Sequence, residues 1–229
     1  MNEKTVDRHF QRALIFCNGE FSADIVPELR KDDLIICADA GLEHALALGI
    51  TPHVVLGDFD SLSEALRRRL QERDPAFGQV YQYPIEKDKT DGQIAVEYAV
   101  KQGIEEIWLL GGLGGRLDHA LGNVLLGAAV GFQGTLKVLG RREEAAVIQG
   151  PGRLEISGGN GDHVSLIPLT AVCSGVTTAG LYYPLQGDTL YRGDTRGLSN
   201  ELISSLAAVE LADGLMIVIH TKGETGETR

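Results

Sequence analysis

Carboxylates gather where the apolar runs of this chain end. Ile35–Ala38 leads into Asp39, Val54–Leu56 leads into Gly57-Asp58-Phe59-Asp60-Ser61, and Lys87-Asp88-Lys89-Thr90-Asp91 opens a helical pattern. Hard cations such as Mg²⁺ take oxygen ligands and share phosphate oxygens with a substrate, so aspartates delivered to one sheet edge suit metal-assisted phosphate chemistry. Asp58 and Asp60 can aim at one ion from the same loop, with Asp39 and Asp91 approaching from neighbouring loops. Taken singly, each aspartate also reads as a turn former or helix cap.

A second constellation follows the apolar run Glu106–Leu110: Gly111-Gly112-Leu113-Gly114-Gly115-Arg116-Leu117-Asp118-His119, then a helix. A glycine-rich turn entering a helix presents backbone N–H groups to phosphate oxygens, and an adjacent arginine adds a bidentate clamp. The spacing is not a Walker A, because no Gly-Lys-[Ser/Thr] follows, and Leu117 stands where a dinucleotide fingerprint needs its last glycine. His119 reads as a hydrogen-bonding residue of a first helical turn rather than an acid–base group. Trp108 reads as core, and Arg67-Arg68-Arg69 as a solvated helix face.

The elements that must position these residues are legible as alternation. Ala13–Cys17, Leu34–Ala38, Val54–Leu56, Ile107–Leu110 and Leu136–Leu139 have the length and composition of buried strands. Between them, Leu42–Leu48 ends at Gly49, Ser61-x-x-Glu64 and Thr90-x-x-Gln93 resemble capping boxes, and Asp118 is placed to cap a helix over Leu121–Val130 closed by Gly131. Strands alternating with helices imply a mostly parallel sheet in an α/β domain. Beyond Gly140 short β-like runs (Ala145–Ile148, His163–Ile167, Gly175–Thr178, Leu215–Ile219) alternate with glycine-rich turns, which predicts an all-β domain beginning between Gly140 and Ala145.

Composition sets outer bounds. The 229 residues suit two small domains, and 43% hydrophobic with 23% charged residues is the mix of a folded protein with a core. A formal net charge of −11 provides no global field for nucleic acid or anionic lipid, so a polyanionic substrate must be met by local cations or bound metal. Cys17, Cys37 and Cys173 are far apart and odd in number, which fits a reducing compartment. The polar segment Met1–Arg12 and the lack of any apolar run near the ~20 residues of a membrane span make the cytoplasm the expected location.

In order along the chain, A-D-A-G (38–41), G-D-F-D-S (57–61), D-K-T-D (88–91) and G-G-x-G-G-R-x-D-H (111–119) resemble the thiamine pyrophosphokinase family. Gly180-Leu181-x-Tyr183-Pro184-Leu185 and Arg196-Gly197-x-Ser199-Asn200-Glu201 resemble its bacterial branch, so the likeness covers nearly the whole chain. The resemblance implies an α/β domain (1–143) for ATP and Mg²⁺, and a β-sandwich (144–229) contributing to the thiamine site and to dimerisation. It further implies a homodimer with thiamine between one subunit's α/β domain and the other's β domain. Asp58, Asp60 and Asp91 would be the metal and catalytic acids, joined in catalysis by Arg116. Asp39, Asp88, Gly112, Gly115, Arg116, Asp118 and His119 would serve the nucleotide. Ser199 and Asn200 would line the thiamine pocket, with Asp91 orienting the substrate hydroxyl; no aromatic is assigned to stack on the pyrimidine. Ala40, where many relatives carry a second glycine, and Lys87, where other branches carry Gln, depart from the family pattern. The implied reaction is attack of the thiamine hydroxyl on the β-phosphorus of ATP, with AMP leaving. Rival readings are a metal-dependent phosphatase with Asp58 as nucleophile and Asp60 as acid–base group, a D-x-D nucleotide-sugar transferase, and a non-catalytic nucleotide or vitamin sensor. Neither rival enzyme accounts for Arg116-x-Asp118-His119 or Ser199-Asn200, and a sensor would not need the acidic set.

Overall fold

The computed structural model describes residues 10–129 and 134–223. Most of the polar N-terminal segment and the Val130–Gly131 helix end lie outside the described residues. The chain divides into two compact units, Met1–Arg141 and Arg142–Arg229.

The first unit is a parallel sheet wrapped by helices. Its strands are β1 (Arg12–Phe16), β2 (Asp33–Ala38), β3 (Val54–Gly57), β4 (Gln79–Gln82), β5 (Glu106–Leu110) and β6 (Thr135–Leu139). The helices are α1 (Gly41–Ala47), α2 (Glu64–Gln71), α3 (Asp91–Lys101) and α4 (Leu117–Leu125). Every residue of β1, β2 and β3 is buried, as strands covered on both faces require. On one face Leu14, Phe16, Ile35, Cys37 and Val55 cluster with Leu42 and Ala45 of α1 and Leu70 of α2. Alternation turns their neighbours to the opposite face, and α3 packs against β1, β2 and β3. Strand order is β6-β5-β1-β2-β3-β4: the chain first builds outward from β1, then returns to its other side. The neighbours β1 and β5 therefore flank a topological switch point, where open α/β sheets place their ligand crevice.

Local signals worked unevenly. Gly49, at φ +69°, follows α1 as expected. Thr90 caps α3 by accepting the Gln93 N–H at 3.2 Å, while the Gln93 amide turns to Glu97 instead of closing the box. The Ser61–Glu64 box does not form: the N-cap of α2 is Ser63, and the Ser61 hydroxyl donates to Asp60. Asp118 is not a cap either, because α4 begins at Leu117 and Asp118 lies in its first turn. Arg67 and Arg68 are exposed on α2, whereas Arg69 pairs with Asp74 and lies over the Phe77 ring. Trp108 is half-buried, with Arg12 and Lys137 close to its ring.

The second unit is a β-sandwich. One layer is formed by the antiparallel strands β12-β9-β14-β7, comprising Asn200–Glu201, His163–Pro168, Leu215–Thr221 and Glu143–Gln149. The other runs β11-β10-β13-β8, comprising Gln186–Tyr191, Val172–Ala179, Leu206–Leu211 and Gly152–Ser157. Ile148, Val164, Leu166, Met216 and Val218 from the first meet Ile156, Cys173, Val176, Leu190 and Val209 from the second in one core. The expected architecture, an α/β domain followed by an all-β sandwich, is the observed one.

The first unit also contains a buried ion pair. Arg12 Nε and an Nη meet both oxygens of Asp33 at 2.8 Å, with both side chains at most 2% exposed, and Asp33 also accepts the Arg30 N–H at 2.7 Å. Removing one partner leaves a buried charge uncompensated. Asp33→Ala is expected to lower unfolding free energy by about 3–5 kcal/mol, measured by urea denaturation followed by circular dichroism.

Candidate active site

The C-terminal ends of the parallel strands open into one cavity of about 760 Å³. The loop after β1 contributes Cys17–Glu20, β2 leads into Asp39, β3 into Asp58 and Asp60, α3 brings Asp91, and the turn after β5 brings Gly111, Gly112, Gly114, Gly115 and Arg116. His119 and Asn123 of α4 complete one wall.

Backbone geometry forces the carboxylates together. Asp39 is held at φ +49°, a left-handed conformation that Asp tolerates better than most residues. Its N–H donates to Leu56 O at 2.9 Å, which fixes the loop after β2 against β3. Gly57, at φ +149°, runs so close that an added Cβ would lie 3.1 Å from the Asp39 backbone. Phe59 is left-handed at φ +66° with its side chain 5% exposed, so core packing fixes the residue that separates Asp58 from Asp60. At Gly41, which starts α1, an added Cβ would come within 1.9 Å of Phe16 O. The close approach of α1 to β1, and with it the Asp39 turn, requires glycine there.

Asp39, Asp58 and Asp60 each offer a ligand atom within 4.8 Å of the others. Asp39 is 8% exposed, yet its Oδ1 has no hydrogen-bond partner. A buried, unsatisfied carboxylate oxygen beside two further carboxylates is what a hard divalent cation would satisfy. Burial raises the Asp39 pKa, and the nearby charges of Asp58 and Asp60 add to the rise.

Asp91, expected beside Asp58 and Asp60, is placed differently. It lines the same cavity but faces Lys87, whose Nζ lies 2.6 Å from Asp58 Oδ2 and 3.3 Å from Asp91 Oδ1. The longer approach is a charge contact without hydrogen-bond alignment, so Asp91 Oδ1 is buried without a hydrogen-bond partner. Burial raises the Asp91 pKa, and Lys87 only partly offsets it. Burial would also raise Asp58, but the bonds from Lys87 and from the Asp60 N–H outweigh it and lower its pKa.

Arg116 stands at the mouth with its side chain 72% exposed, paired to Asp118 at 2.6 Å. Such an exposed pair contributes little, which leaves the guanidinium free to exchange partners. Glu20 reaches across the glycine-rich turn and accepts the Gly115 N–H at 3.3 Å. Asn123 fixes the same turn by donating to Gly112 O at 2.8 Å. Asp88 is exposed and is not among the cavity's lining residues. Cys17 lines the cavity, but burial pushes its thiol up to about 12, so it is no nucleophile at neutral pH.

Sequence reasoning missed Asn18, Gly19 and Glu20. The signal was present: they follow the first strand just as Asp39 follows the second, and only the strand order reveals that this loop borders the switch point.

Ser199 and Asn200 belong to the second unit. Ser199 is left-handed at φ +55° and donates its N–H to Ser165 Oγ at 3.1 Å. The Asn200 amide is spent on backbone: its Oδ1 accepts the N–H of Tyr183 and of Glu201, each at 2.9 Å, and its Nδ2 donates to Tyr183 O at 2.7 Å. Asn200 thus holds Tyr183, 65% exposed and edge-on to Tyr182 with ring centroids 4.8 Å apart.

The raised pKa of Asp39 makes stability depend on pH. With its pKa raised in the native state, metal-free protein loses stability as pH rises from the unfolded carboxylate value near 4 through the raised native one. At about pH 8 in chelator, Asp39→Asn should melt about 2–4 °C above the parent chain, the scale of 1 kcal/mol for this size. If Asp39 is a metal ligand, the same substitution should also abolish any rise in Tm produced by adding Mg²⁺ to the parent. An equal Mg²⁺ effect on both proteins would remove Asp39 from the ligand set.

Comparison with known proteins agrees with this architecture. Residues 27–138 match the thiamin pyrophosphokinase catalytic domain, and residues 153–216 match the thiamin pyrophosphokinase vitamin B1 binding domain. A thiamine pyrophosphokinase of Bacillus subtilis is 32% identical over 86% of this chain and 94% of its own. The crystal structure of a thiamine pyrophosphokinase from Bacillus subtilis superposes with a TM-score of 0.78 at 30% identity, over 93% of this chain and 99% of that one. That of a thiamin pyrophosphokinase from Geobacillus thermodenitrificans gives 0.77 at 30% identity, over 94% and 99%. With both domains matched in chain order and a relative above 30% identity across most of its length, this chain belongs to the thiamin pyrophosphokinase family.

Proposed function

We propose that the chain acts as a thiamine pyrophosphokinase in which the cavity of the first unit holds ATP with Mg²⁺ and delivers its terminal diphosphate to the hydroxyl of thiamine, giving thiamine diphosphate and AMP. The observation that carries this reading is the meeting, in one cavity, of an acidic cluster with an orphaned oxygen and a glycine-rich turn beside an arginine. Carboxylates alone repel phosphate; with a divalent cation they become a phosphate-binding surface.

Asp39, Asp58 and Asp60 would hold the cation, which when bound supplies charge neutralisation on the phosphate chain. The turn Gly111–Gly115 and the start of α4 offer backbone N–H groups to phosphate oxygens. For this, the Glu20 carboxylate must leave the Gly115 N–H. Arg116, held by Asp118 in an exposed pair, can turn to the charge that develops as AMP departs. Phosphoryl-type transfer needs positioning more than covalent help from the protein. Asp91, buried and with a raised pKa, suits orienting the attacking hydroxyl and accepting a hydrogen bond from it.

The second unit would supply the vitamin's ring site. Tyr183 presents an exposed face on a backbone pinned by Asn200, and such a face can stack on the pyrimidine of a cationic ligand. Assembly as a homodimer is part of the proposal, supported by the exposed Tyr182, Tyr183, Ile203 and Leu206. A reducing, cytoplasmic setting is supported by three free, buried cysteines; among the described residues no helix is long and apolar enough to cross a membrane.

Purified protein incubated with ATP, Mg²⁺ and thiamine should yield AMP and thiamine diphosphate in equal amounts. Asp91→Asn should lower kcat by about 10²-fold or more, the usual scale of a lost acid–base group. ADP or free phosphate as the product would favour a phosphatase-type reading instead. Tyr183→Ala should raise KM for thiamine by about tenfold, the scale of one lost stacking contact, while KM for ATP holds; a rise in KM for ATP alone would remove Tyr183 from the vitamin site.

A further inference from the structure

The second unit buries a titratable pair that the proposed reaction does not use. Period-two alternation puts His220 on the same face of β14 as Met216 and Val218, so the strand carries a histidine to the end of the sandwich core. His220 is 4% exposed, and its Nε2 lies 2.8 Å from Oδ2 of Asp162, itself 7% exposed, in the turn before β9. Asp162 Oδ2 also accepts the Gly159 N–H, and its Oδ1 the Gly223 N–H, each at 2.8 Å. Burial alone would raise the Asp162 pKa, but those two N–H groups and the His220 ring outweigh it and lower it. An ionised carboxylate only accepts, so His220 Nε2 carries the proton between them.

The backbone of the same turn reaches the edge that carries Tyr183. Asp162 O accepts the Leu202 N–H and the Gly161 N–H donates to Leu202 O, each at 2.8 Å, so the turn clasps Leu202 through both of its backbone groups. Leu202, 1% exposed, faces Leu181 in an isolated antiparallel bridge. Its neighbours extend the link: Glu201 O accepts the Tyr182 N–H at 2.9 Å, and Ile203 donates its N–H to Gly180 O at 3.1 Å. β12 has only two residues and lies at the sheet edge beside β9, so its own ladder supplies little to fix where Asn200 stands.

We propose that His220 and Asp162 are positioning residues for the vitamin edge: the pair fixes the 159–162 turn, the turn seats Leu202, and Leu202 sets the place of Asn200 and, through it, of Tyr183. This rests on the reading given above that Tyr183 meets the vitamin ring. Both residues are buried and act through the backbone they hold.

The test joins hydrogen–deuterium exchange of the purified full chain with steady-state kinetics. In His220→Leu, amides of 180–183 and 202–203 should exchange about tenfold faster, the fold-change of one lost charge-assisted hydrogen bond, while those of the first unit hold. KM for thiamine should rise about fivefold on the same scale, with kcat and KM for ATP unchanged. His220→Gln, whose amide can donate to Asp162, should restore both readouts. Gly158→Ala is the second variant: its added Cβ would lie 2.6 Å from Asp162 Oδ2 and 2.7 Å from His220 Nε2. It wedges the pair without removing either group, should move both readouts the same way, and decides the matter if His220→Leu does not fold. Parental exchange at 180–183 in these variants, or equal loosening of the first unit, would overturn the positioning role. A parental KM for thiamine in them would overturn it too, with the vitamin reading left standing if Tyr183→Ala still raises that KM. An unchanged KM in Tyr183→Ala would overturn both.

Discussion

Mutual repulsion among Asp39, Asp58, Asp60 and Asp91 is the constraint around which the first unit is organised. Carboxylates crowded into one partly buried cavity repel one another and weaken the fold unless cations answer them. The chain answers part of that charge itself through Lys87 and leaves Asp39 Oδ1 unanswered. On the reading proposed above, the remainder would be an affinity for a cation, and through it for phosphate. A site of this kind cannot rest on flexible loops, because the repulsion would spread them apart.

What resists the spreading is the parallel sheet beneath. β1, β2 and β3 are buried throughout, and each ends at the cavity. The turn at Asp39 is tied to Leu56 by a backbone hydrogen bond, and Phe59 is anchored in the core between the two aspartates it separates. Left-handed residues at Asp39 and Phe59 are strained relative to extended backbone. Their position beside the acidic cluster fits the general pattern in which a rigid scaffold carries the cost of a functional geometry. Strand order then decides what faces the aspartates: the return of the chain to β5 brings the glycine-rich turn next to the loop after β1.

The second unit solves a different problem. Its sandwich core is closed and apolar, and polar and aromatic side chains are presented at its edge. Asn200 stands in a strand of only two residues, where few ladder bonds are available, and its amide substitutes for them by gripping Tyr183. An aromatic surface is thereby held in place without being buried.

The sequence alone determined the classes of element and the residue types that gather at the sheet edge. Period and run length identified five of the six parallel strands, because strands buried on both faces must be continuously apolar; β4, Gln-Val-Tyr-Gln at the sheet edge, lacks that signature and escaped. Aspartates after strands and glycines before a helix were legible because such residues are needed at the C-terminal ends of parallel strands whatever the order of those strands. Helix starts were less legible: Ser61 and Asp118 had the right types for caps, but their side chains found Asp60 and Arg116 instead. Only the tertiary structure decided which carboxylates meet. Asp39 joins Asp58 and Asp60 because β2 and β3 are neighbours, and Asp91 lines the same cavity with Lys87, four residues earlier, bridging it to Asp58. Distances between loops depend on strand order and on which cation arrives first, and neither is written in local spacing.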